Sequence, residues 1–176
     1  MKWQQFITDV FERISQELER ILNGLTVDDL NKQPNYDCNS IGWLAWHLTR
    51  SQDRCNQALF EEEQIWIKNK WYLKFNRAAD PRDSGFSHGT EDLAAFKSPD
   101  SAILIGYHSD VLKRSKHYIG SKLTESDLDR DLNNPKIPRM PTVSTRLVAV
   151  INDNLQHIGQ MAYVRGLLKG KGWSDR

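Results

Sequence analysis

The sequence lacks the features that would place it among nucleic-acid-binding, membrane or secreted proteins. It has 24 Lys and Arg residues against 23 Asp and Glu, a formal net charge of +1. This balance gives no electrostatic case for a nucleic acid or an anionic membrane as partner. No window approaches the ~20 consecutive apolar residues of a membrane span, and residues 1–20 carry charges every few positions, unlike a signal peptide. We expect a soluble, cytoplasmic protein.

Cysteine is scarce, with only Cys38 and Cys55 in the chain. If residues 40–60 form one helix, its length separates them by roughly 25 Å at ~1.5 Å per residue, whereas a disulfide needs Cα atoms within ~7 Å. A CxxC pair, typical of zinc sites, is also absent. We therefore predict two reduced cysteines, with Cys55 in the core and an activated thiol as the alternative.

Familiar catalytic motifs and strand signals are missing as well. The sequence contains no Walker A motif, no G-x-S-x-G, no G-x-G-x-x-G and no H-E-x-x-H. It shows no sustained alternation of apolar and polar residues and no hairpin signal. Without these catalytic motifs no short motif defines a reaction, and the lack of strand signals argues against a β-sheet.

Helical periodicity is present in four long segments. The predicted long helices cover residues 3–22, 40–60, 98–120 (with Pro99 at the first helical position) and 143–168. Short helical pieces and long loops connect them, including a loop over 77–89 and a proline-rich loop over 133–142. This pattern predicts an all-α four-helix bundle, and 176 residues suit a single domain over 1–176.

The last of these helices carries an unusual number of polar groups near its middle. At ~100° per residue its predicted buried stripe consists of Leu147, Ile151, Leu155, Ile158 and Ala162. Asp153 and His157 are i and i+4, so they lie one turn apart at the edge of that stripe. Asn154 and Arg165 lie closer to its centre, where a buried amide or guanidinium needs a partner.

The second predicted helix places a histidine at a similar position. Its buried stripe consists of Ile41, Leu44, Leu48, Cys55 and Leu59, and His47 lies at the edge beside Ser51. If the two helix margins face each other, His47 joins Asp153 and His157. Zinc, nickel and iron accept imidazole nitrogen and carboxylate oxygen, and three protein ligands leave a position for water or substrate.

Structural interpretations compete with this one. Asp153 and His157 could form an ordinary i,i+4 pair, and His47 could be a core histidine with a satisfied hydrogen bond. Asn154 could tie the last helix to a neighbour or donate to a metal ligand.

The other polar residues singled out by the sequence also have both a functional and a structural interpretation. Ser51 could line a pocket or only pack, and Arg165 could pair with the aspartate, orient an anionic substrate or hold a structural partner. His88 lies in the 77–89 loop, which could cover the mouth of the bundle, but we expect its side chain to be solvated. His108 and His117 have no carboxylate or histidine at i+4, and we expect both to be exposed.

Two segments occur together in one known family: SIGWLAWHLTRSQD at 40–53 and NDNLQHIGQMAYVRGLL at 152–168. The sequence resembles the DinB-like superfamily of four-helix-bundle metalloproteins. It is most similar to a branch of domains of unknown function related to mycothiol-dependent isomerases. The intervening GFSHGTEDLAAF and LTESDLDRDL are also similar to that branch, so the resemblance covers nearly the whole chain.

The resemblance implies an up-down-down-up bundle with one long crossover and a divalent metal at a mouth between helices. The metal is expected to be zinc or nickel, with iron as a further candidate. The family's usual ligands are a histidine on the second helix and an H-x-x-x-H pair on the fourth. These positions hold His47, Asp153 and His157, so an aspartate replaces one histidine. The site either keeps a metal with altered preference or has lost it.

The resemblance also implies Lewis-acid activation of a low-molecular-weight thiol. The leading hypothesis is a metal-dependent thiol S-transferase or hydrolase-type enzyme acting on an unknown small molecule, with no catalytic residue identified. The second is a non-enzymatic bundle that binds a small molecule or partner and has a degenerate metal site. A third, compatible with either, is a homodimer whose interface is the aromatic-rich second helix.

Overall fold

A computed structural model of the chain describes residues 1–134 and 138–174, so part of the predicted proline-rich loop lies outside the described residues. The described residues contain eight α-helices and no β-strand, which confirms the all-α prediction. The helices are α1 Trp3–Leu22, α2 Val27–Asn31, α3 Ile41–Phe60, α4 Ile65–Lys68, α5 Trp71–Lys74, α6 Thr90–Ala95, α7 Ser101–Ser121 and α8 Val143–Lys169. None of them is long and apolar enough to cross a lipid bilayer.

Capping side chains explain where three of the four long helices begin. Ser40 caps α3 and Thr142 caps α8, each accepting a hydrogen bond from a backbone N–H in the first turn. Asp100 caps α7 in the same way. That helix therefore begins at Ser101 and not, as predicted, with Pro99 in its first turn.

Hydrogen bonds at both ends of α1 show that α7 runs antiparallel to it. Gln4 Nε2 donates to the carbonyl of Leu123 at 3.3 Å. At the opposite end, Ser101 Oγ donates to the carbonyl of Leu22 at 3.1 Å. The start of each helix thus lies beside the end of the other.

α3 and α7, by contrast, run in the same direction. Thr49 on α3 contacts His108 on α7, and seven residues further along Asn56 contacts Ser115. α8 packs antiparallel to α3 and also contacts α1. The result is the expected up-down-down-up bundle, in which residues 61–100 form the long crossover.

α3 is the central element of the bundle. Of its 20 residues 15 are buried, including Trp43 and Trp46. The hypothesis that this helix forms a dimer interface is therefore wrong, because its aromatic side chains already pack inside the chain. Cys55 is buried and Cys38 partly buried, and neither forms a disulfide, as predicted.

The buried face of α8 differs from the predicted stripe. Leu155 is 51% exposed, whereas Val150, Met161 and Val164 are buried. Apolar residues occur on every side of this helix, so their periodicity does not identify the inward face. Asn154 is buried, as expected.

The crossover is held against α3 by a fully buried arginine. The guanidinium of Arg50 donates to the carbonyls of Asp80, Pro81 and Asp83 at 3.3, 3.1 and 2.8 Å. Its side chain is 0% exposed. These bonds fix residues 77–89, termed here the covering segment, over the part of α3 that carries His47.

Candidate metal centre

Three side chains with metal-binding atoms converge between α3 and α8. His47, Asp153 and His157 each offer one ligand atom within 4.8 Å of the others, and the described residues contain no second group of this kind. His157 Nε2 lies 3.4 Å from Asp153 Oδ1. The structure thus brings together the three residues that the sequence pattern singled out.

The outward nitrogen of each histidine contacts a carbonyl oxygen. His47 Nδ1 makes a short hydrogen bond with the backbone carbonyl of Ser84, and His157 Nδ1 lies 2.8 Å from Gln160 Oε1. Because a backbone carbonyl oxygen only accepts, His47 Nδ1 carries the proton and His47 Nε2 retains its lone pair. His157 Nε2 faces the carboxylate of Asp153, and a metal ion would replace the proton between them. Metal-binding histidines are commonly oriented by acceptors of this type.

The carboxylate of Asp153 has one satisfied and one unsatisfied oxygen. Oδ1 faces His157, and the hydroxyl of Ser51 interacts with the carboxylate, which places Ser51 at the cluster. Oδ2 is buried and has no hydrogen-bond partner in the described part of the chain. An unpartnered buried carboxylate oxygen is costly, and a cation held between the three side chains would satisfy it.

The protonation states of the cluster suit metal binding. Burial lowers the pKa of His47, and the carbonyl of Ser84 only partly offsets this. Burial alone would raise the pKa of Asp153, but the hydrogen bond and charge of His157 outweigh it and the pKa falls. Burial alone would lower the pKa of His157, but Asp153 and Gln160 raise it. At neutral pH the cluster thus holds an ionised carboxylate and a neutral His47, the forms that coordinate metals.

The covering segment encloses one side of this cluster. Gly85 has φ of +83°, and a Cβ at this position would lie 2.6 Å from the ring of Trp43 and 2.9 Å from that of Trp46. Trp43 in turn stacks on His47, with ring centroids 4.7 Å apart and planes within 6°. Glycine therefore permits the close approach through which the carbonyl of Ser84 reaches His47.

His88 is not solvated as predicted. Its side chain is 13% exposed, and its Nε2 lies 3.4 Å from Asp83 Oδ1. Its Nδ1 accepts a hydrogen bond from Trp43 Nε1 at 3.0 Å, and its ring stacks on Trp46. His88 therefore fastens the covering segment to α3 and has both nitrogens engaged.

His108 also differs from expectation. It is 1% exposed, and its Nδ1 lies 3.2 Å from Thr49 Oγ1. Burial lowers its pKa to about 4. His117 is exposed, as predicted.

Asn154 connects α8 to α3 one turn from the metal-binding atoms. Its Nδ2 donates to Gln52 Oε1 at 3.0 Å, and both side chains are buried. This is the helix-tying alternative considered from the sequence. The bond sets the register of the two helices that carry the cluster.

Arg165 lies away from the cluster. Its Nη1 donates to the carbonyls of Arg20 and Ile21 near the end of α1, and its guanidinium lies 4.8 Å from the ring centroid of Trp173. Pairing of Arg165 with Asp153 does not occur, and the structural alternative is the correct one.

Two contributors to the site were not predicted. Gln160 follows His157 by three residues on the same helix, and side chains at this i,i+3 spacing are neighbours, so their contact could have been predicted. Ser84 contributes a backbone carbonyl, for which a side-chain pattern offers no signal.

The long helices form an up-down-down-up bundle, and the His, Asp, His cluster lies between the second and the last of them. These two features define the class of protein as a four-helix bundle with a candidate metal site. The family model of the DinB superfamily matches residues 11–161, and the chain belongs to this superfamily. It is similar to a solved structure described as the conserved protein of locus from Enterococcus faecalis. The two share 29% identity over 97% of this chain and 99% of the other, with a TM-score of 0.84. A search of curated proteins returned no match.

Proposed function

We propose that this protein binds a divalent metal ion through His47, Asp153 and His157 and uses it as a Lewis acid. One observation carries the proposal. Both Nδ1 atoms are engaged by carbonyl oxygens, while Asp153 Oδ2 is buried without a partner. The groups that would bind the ion are two imidazoles and a carboxylate, whose ligand atoms lie within 4.8 Å of one another.

This donor set suits zinc or nickel, and also iron. Three protein ligands leave room for an exogenous one, and a bound metal would lower the pKa of a coordinated thiol or water. We propose a low-molecular-weight thiol as co-substrate of an S-transferase-type reaction, a step that is supported by the family resemblance alone. The protein's own contribution is to orient the ligands and, through Trp43 and the covering segment, to shield one side from water.

A second candidate function is a bundle that binds a small molecule without catalysis. It is favoured by the 3.4 Å contact of His157 with Asp153. Through this contact the imidazole of His157 and the carboxylate of Asp153 partly satisfy each other's hydrogen-bonding capacity without an ion.

Metal content distinguishes these two functions. The protein should be purified without a nickel-affinity step and analysed by mass spectrometry. We expect about one equivalent of metal in the wild type and at least about tenfold weaker binding in His47→Ala and His157→Ala. His117→Ala, which removes an exposed histidine from α7, is the matched control. Trace metal that is the same in all four proteins would refute the metal-centre proposal.

We propose a homodimer as the oligomeric state, also from the family resemblance. Because α3 is buried within the chain, such a dimer would use other helices. Light scattering coupled to size-exclusion chromatography measures the mass directly, and a monomer at micromolar concentration would contradict the proposal.

A further inference from the structure

Two arginines lie on the same sides of α3 and α8 as the three residues of the cluster. The space between these two helix faces is termed here the groove. Spacing of i, i+4 and i+7 places three polar residues on one face of α3: His47, Ser51 and Arg54. Spacing of i, i+7 and i+11 does the same on α8 for Arg146, Asp153 and His157. Each helix therefore contributes metal-binding groups and, further along, a guanidinium.

The antiparallel register brings these two guanidinium groups to the same end of the groove. Cys55, next to Arg54 in the chain, lies with its Sγ 3.9 Å from the carbonyl of Arg146. From His47 to Arg54 the seven-residue rise along α3 is about 10 Å. The arginine pair therefore lies about two turns of α3 away from His47.

Neither arginine is neutralised by a carboxylate contact within the described residues. Arg146 Nε is buried and has no hydrogen-bond partner, and its Nη1 contacts only Met140 Sδ, at 3.9 Å. Arg54 Nη1 donates to Ser84 Oγ at 2.6 Å. Partial burial, followed by the charges of Arg50 and Arg146, lowers the pKa of Arg54.

Asp80 is the acidic group that acts on Arg54 from the covering segment, and its attraction is weaker than the repulsion by either arginine. Neighbouring like charges raise the free energy of the folded protein unless an anion accompanies them. The planar fork of arginine matches the oxygens of a carboxylate or phosphate. The local chemistry therefore favours an oxyanion.

We propose that Arg54 and Arg146 form a subsite for the carboxylate or phosphate of a small molecule whose other end reaches the metal centre. This deepens the proposed function, on which it rests, by defining the ligand as an anion whose metal-binding group and charged group lie at opposite ends of the molecule. Ser84 links the two ends, because its carbonyl orients His47 and its hydroxyl accepts from Arg54.

A pair of thiols that differ only in charge tests the subsite. Cobalt(II)-loaded protein is titrated with 6-mercaptohexanoate and with the uncharged 6-mercaptohexanol, and the thiolate–cobalt absorption band is followed. In the wild type the carboxylate should bind at least about tenfold more tightly than the alcohol. Arg54→Gln and Arg146→Gln should each reduce this preference to about threefold or less and leave the affinity for the alcohol unchanged.

The control is Arg13→Gln, which removes an arginine of α1 that is 66% exposed and should keep the full preference. Equal binding of the two thiols by the wild type would overturn the subsite, as would a preference that survives in the Gln variants. Since Arg54 is exposed, its replacement should not impair folding. If Arg146→Gln does not fold, Arg54→Gln alone decides.

A metal-free measurement separates failure of the subsite from failure of the metal proposal. If neither thiol produces the cobalt band, the proposed thiol co-substrate fails, and inorganic phosphate then decides the subsite. Phosphate should raise the Tm of metal-free wild type and Arg13→Gln but not that of Arg54→Gln. No rise in the wild type, or the same rise in all three proteins, would overturn the subsite.

Discussion

The imidazole rings of His47 and His157 meet edge to face, with centroids 4.7 Å apart and planes at 89°. The ring of His47 is held by the backbone carbonyl of Ser84 and by stacking on Trp43, and the ring of His157 lies between Asp153 and Gln160. The helices behind them are joined by the buried bond of Asn154 to Gln52. The dimensions of the cluster are therefore set by the packing of the protein before any ion binds.

The first prediction concerns the charge of Asp153. Asp153→Asn keeps the shape of the side chain but removes the anionic ligand, so zinc affinity should fall at least about tenfold. Asp153→His supplies a neutral imidazole in its place and should restore affinity to within about tenfold of the wild type. Competition with a chromophoric chelator measures both.

Asp129→Asn is the control for this pair, since it makes the same replacement at an exposed position away from the cluster. It should leave zinc affinity unchanged. If Asp153→Asn binds zinc as tightly as the wild type, the carboxylate is not a ligand.

The second prediction concerns the close approach at Gly85. In Gly85→Ala the new Cβ would meet two rigid tryptophan rings at 2.6 and 2.9 Å, at a φ of +83°. We expect a loss of about 2 kcal/mol or more in the free energy of unfolding. Zinc affinity should also fall, because the carbonyl of Ser84 moves away from His47.

Gly120→Ala is the matched replacement for chemical denaturation experiments. Its Cβ would meet nothing within 4 Å and lies in α7, so stability should be unchanged or slightly higher. A Gly85→Ala protein with wild-type stability and zinc affinity would show that the approach of the covering segment does not support the site.

The third prediction is a pH dependence that arises from His108. Its pKa is lowered from 6.5 to about 4 by burial, so the unfolded chain binds a proton more readily than the folded one. The stabilisation from a neutral His108 is complete above pH 6.5 and is lost as pH falls towards 4. A shift of this size corresponds to about 3 kcal/mol.

His108→Asn keeps a group that can bond to Thr49 but does not titrate. The difference in unfolding free energy between wild type and variant should therefore shrink between pH 7 and pH 4, as measured by urea denaturation. His117→Asn, at an exposed position, should show a constant difference. A constant difference for His108→Asn as well would contradict a neutral buried imidazole.

Some features of the structure could be predicted because they depend only on residues that are close together in the sequence. Helix caps such as Ser40 and Thr142 act on their own first turn, so local sequence predicted where α3 and α8 begin. The i,i+4 relation of Asp153 and His157 is likewise local. That both residues lie near His47 was inferred from their positions at the edges of the apolar stripes of two helices. The structure agrees, because α3 and α8 pack against each other.

Burial produced by distant elements was harder to predict. His88 is enclosed by packing against Trp43 and Trp46, and His108 by the bundle core, although each is polar and lies among polar neighbours in the chain. The exposure of Leu155 is the opposite case, since an apolar residue on α8 has no partner helix on that side. The burial or exposure of these side chains depends on which helices and loops pack against each other, and the periodicity of the sequence does not contain that information.

The fourth prediction concerns the buried Arg50. Arg50→Met removes the donors to three carbonyls of the covering segment and leaves buried Asp53, 3.8 Å away, without its cation. We expect a loss of about 3–5 kcal/mol in the free energy of unfolding. The released segment should also be cleaved faster by trypsin after Arg82.

Arg13→Met, on the surface of α1, should leave both stability and proteolysis close to wild type. The measurements are urea denaturation and mass spectrometry of a time-limited digest. An Arg50→Met protein that loses stability but keeps a trypsin-resistant covering segment would show that other contacts hold the segment in place.

The parallel direction of α3 and α7 has a consequence for how this site could diversify. The chain must return along the bundle between these helices, and within residues 61–100 the covering segment passes over His47. Helices that alternated in direction would need only short connections at the ends and would leave this flank open. One wall of the candidate site is thus a loop, and its position depends on a few contacts with α3, those of Arg50, His47 and Trp43. A change at one of these contacts can alter access to the site while the four long helices stay the same.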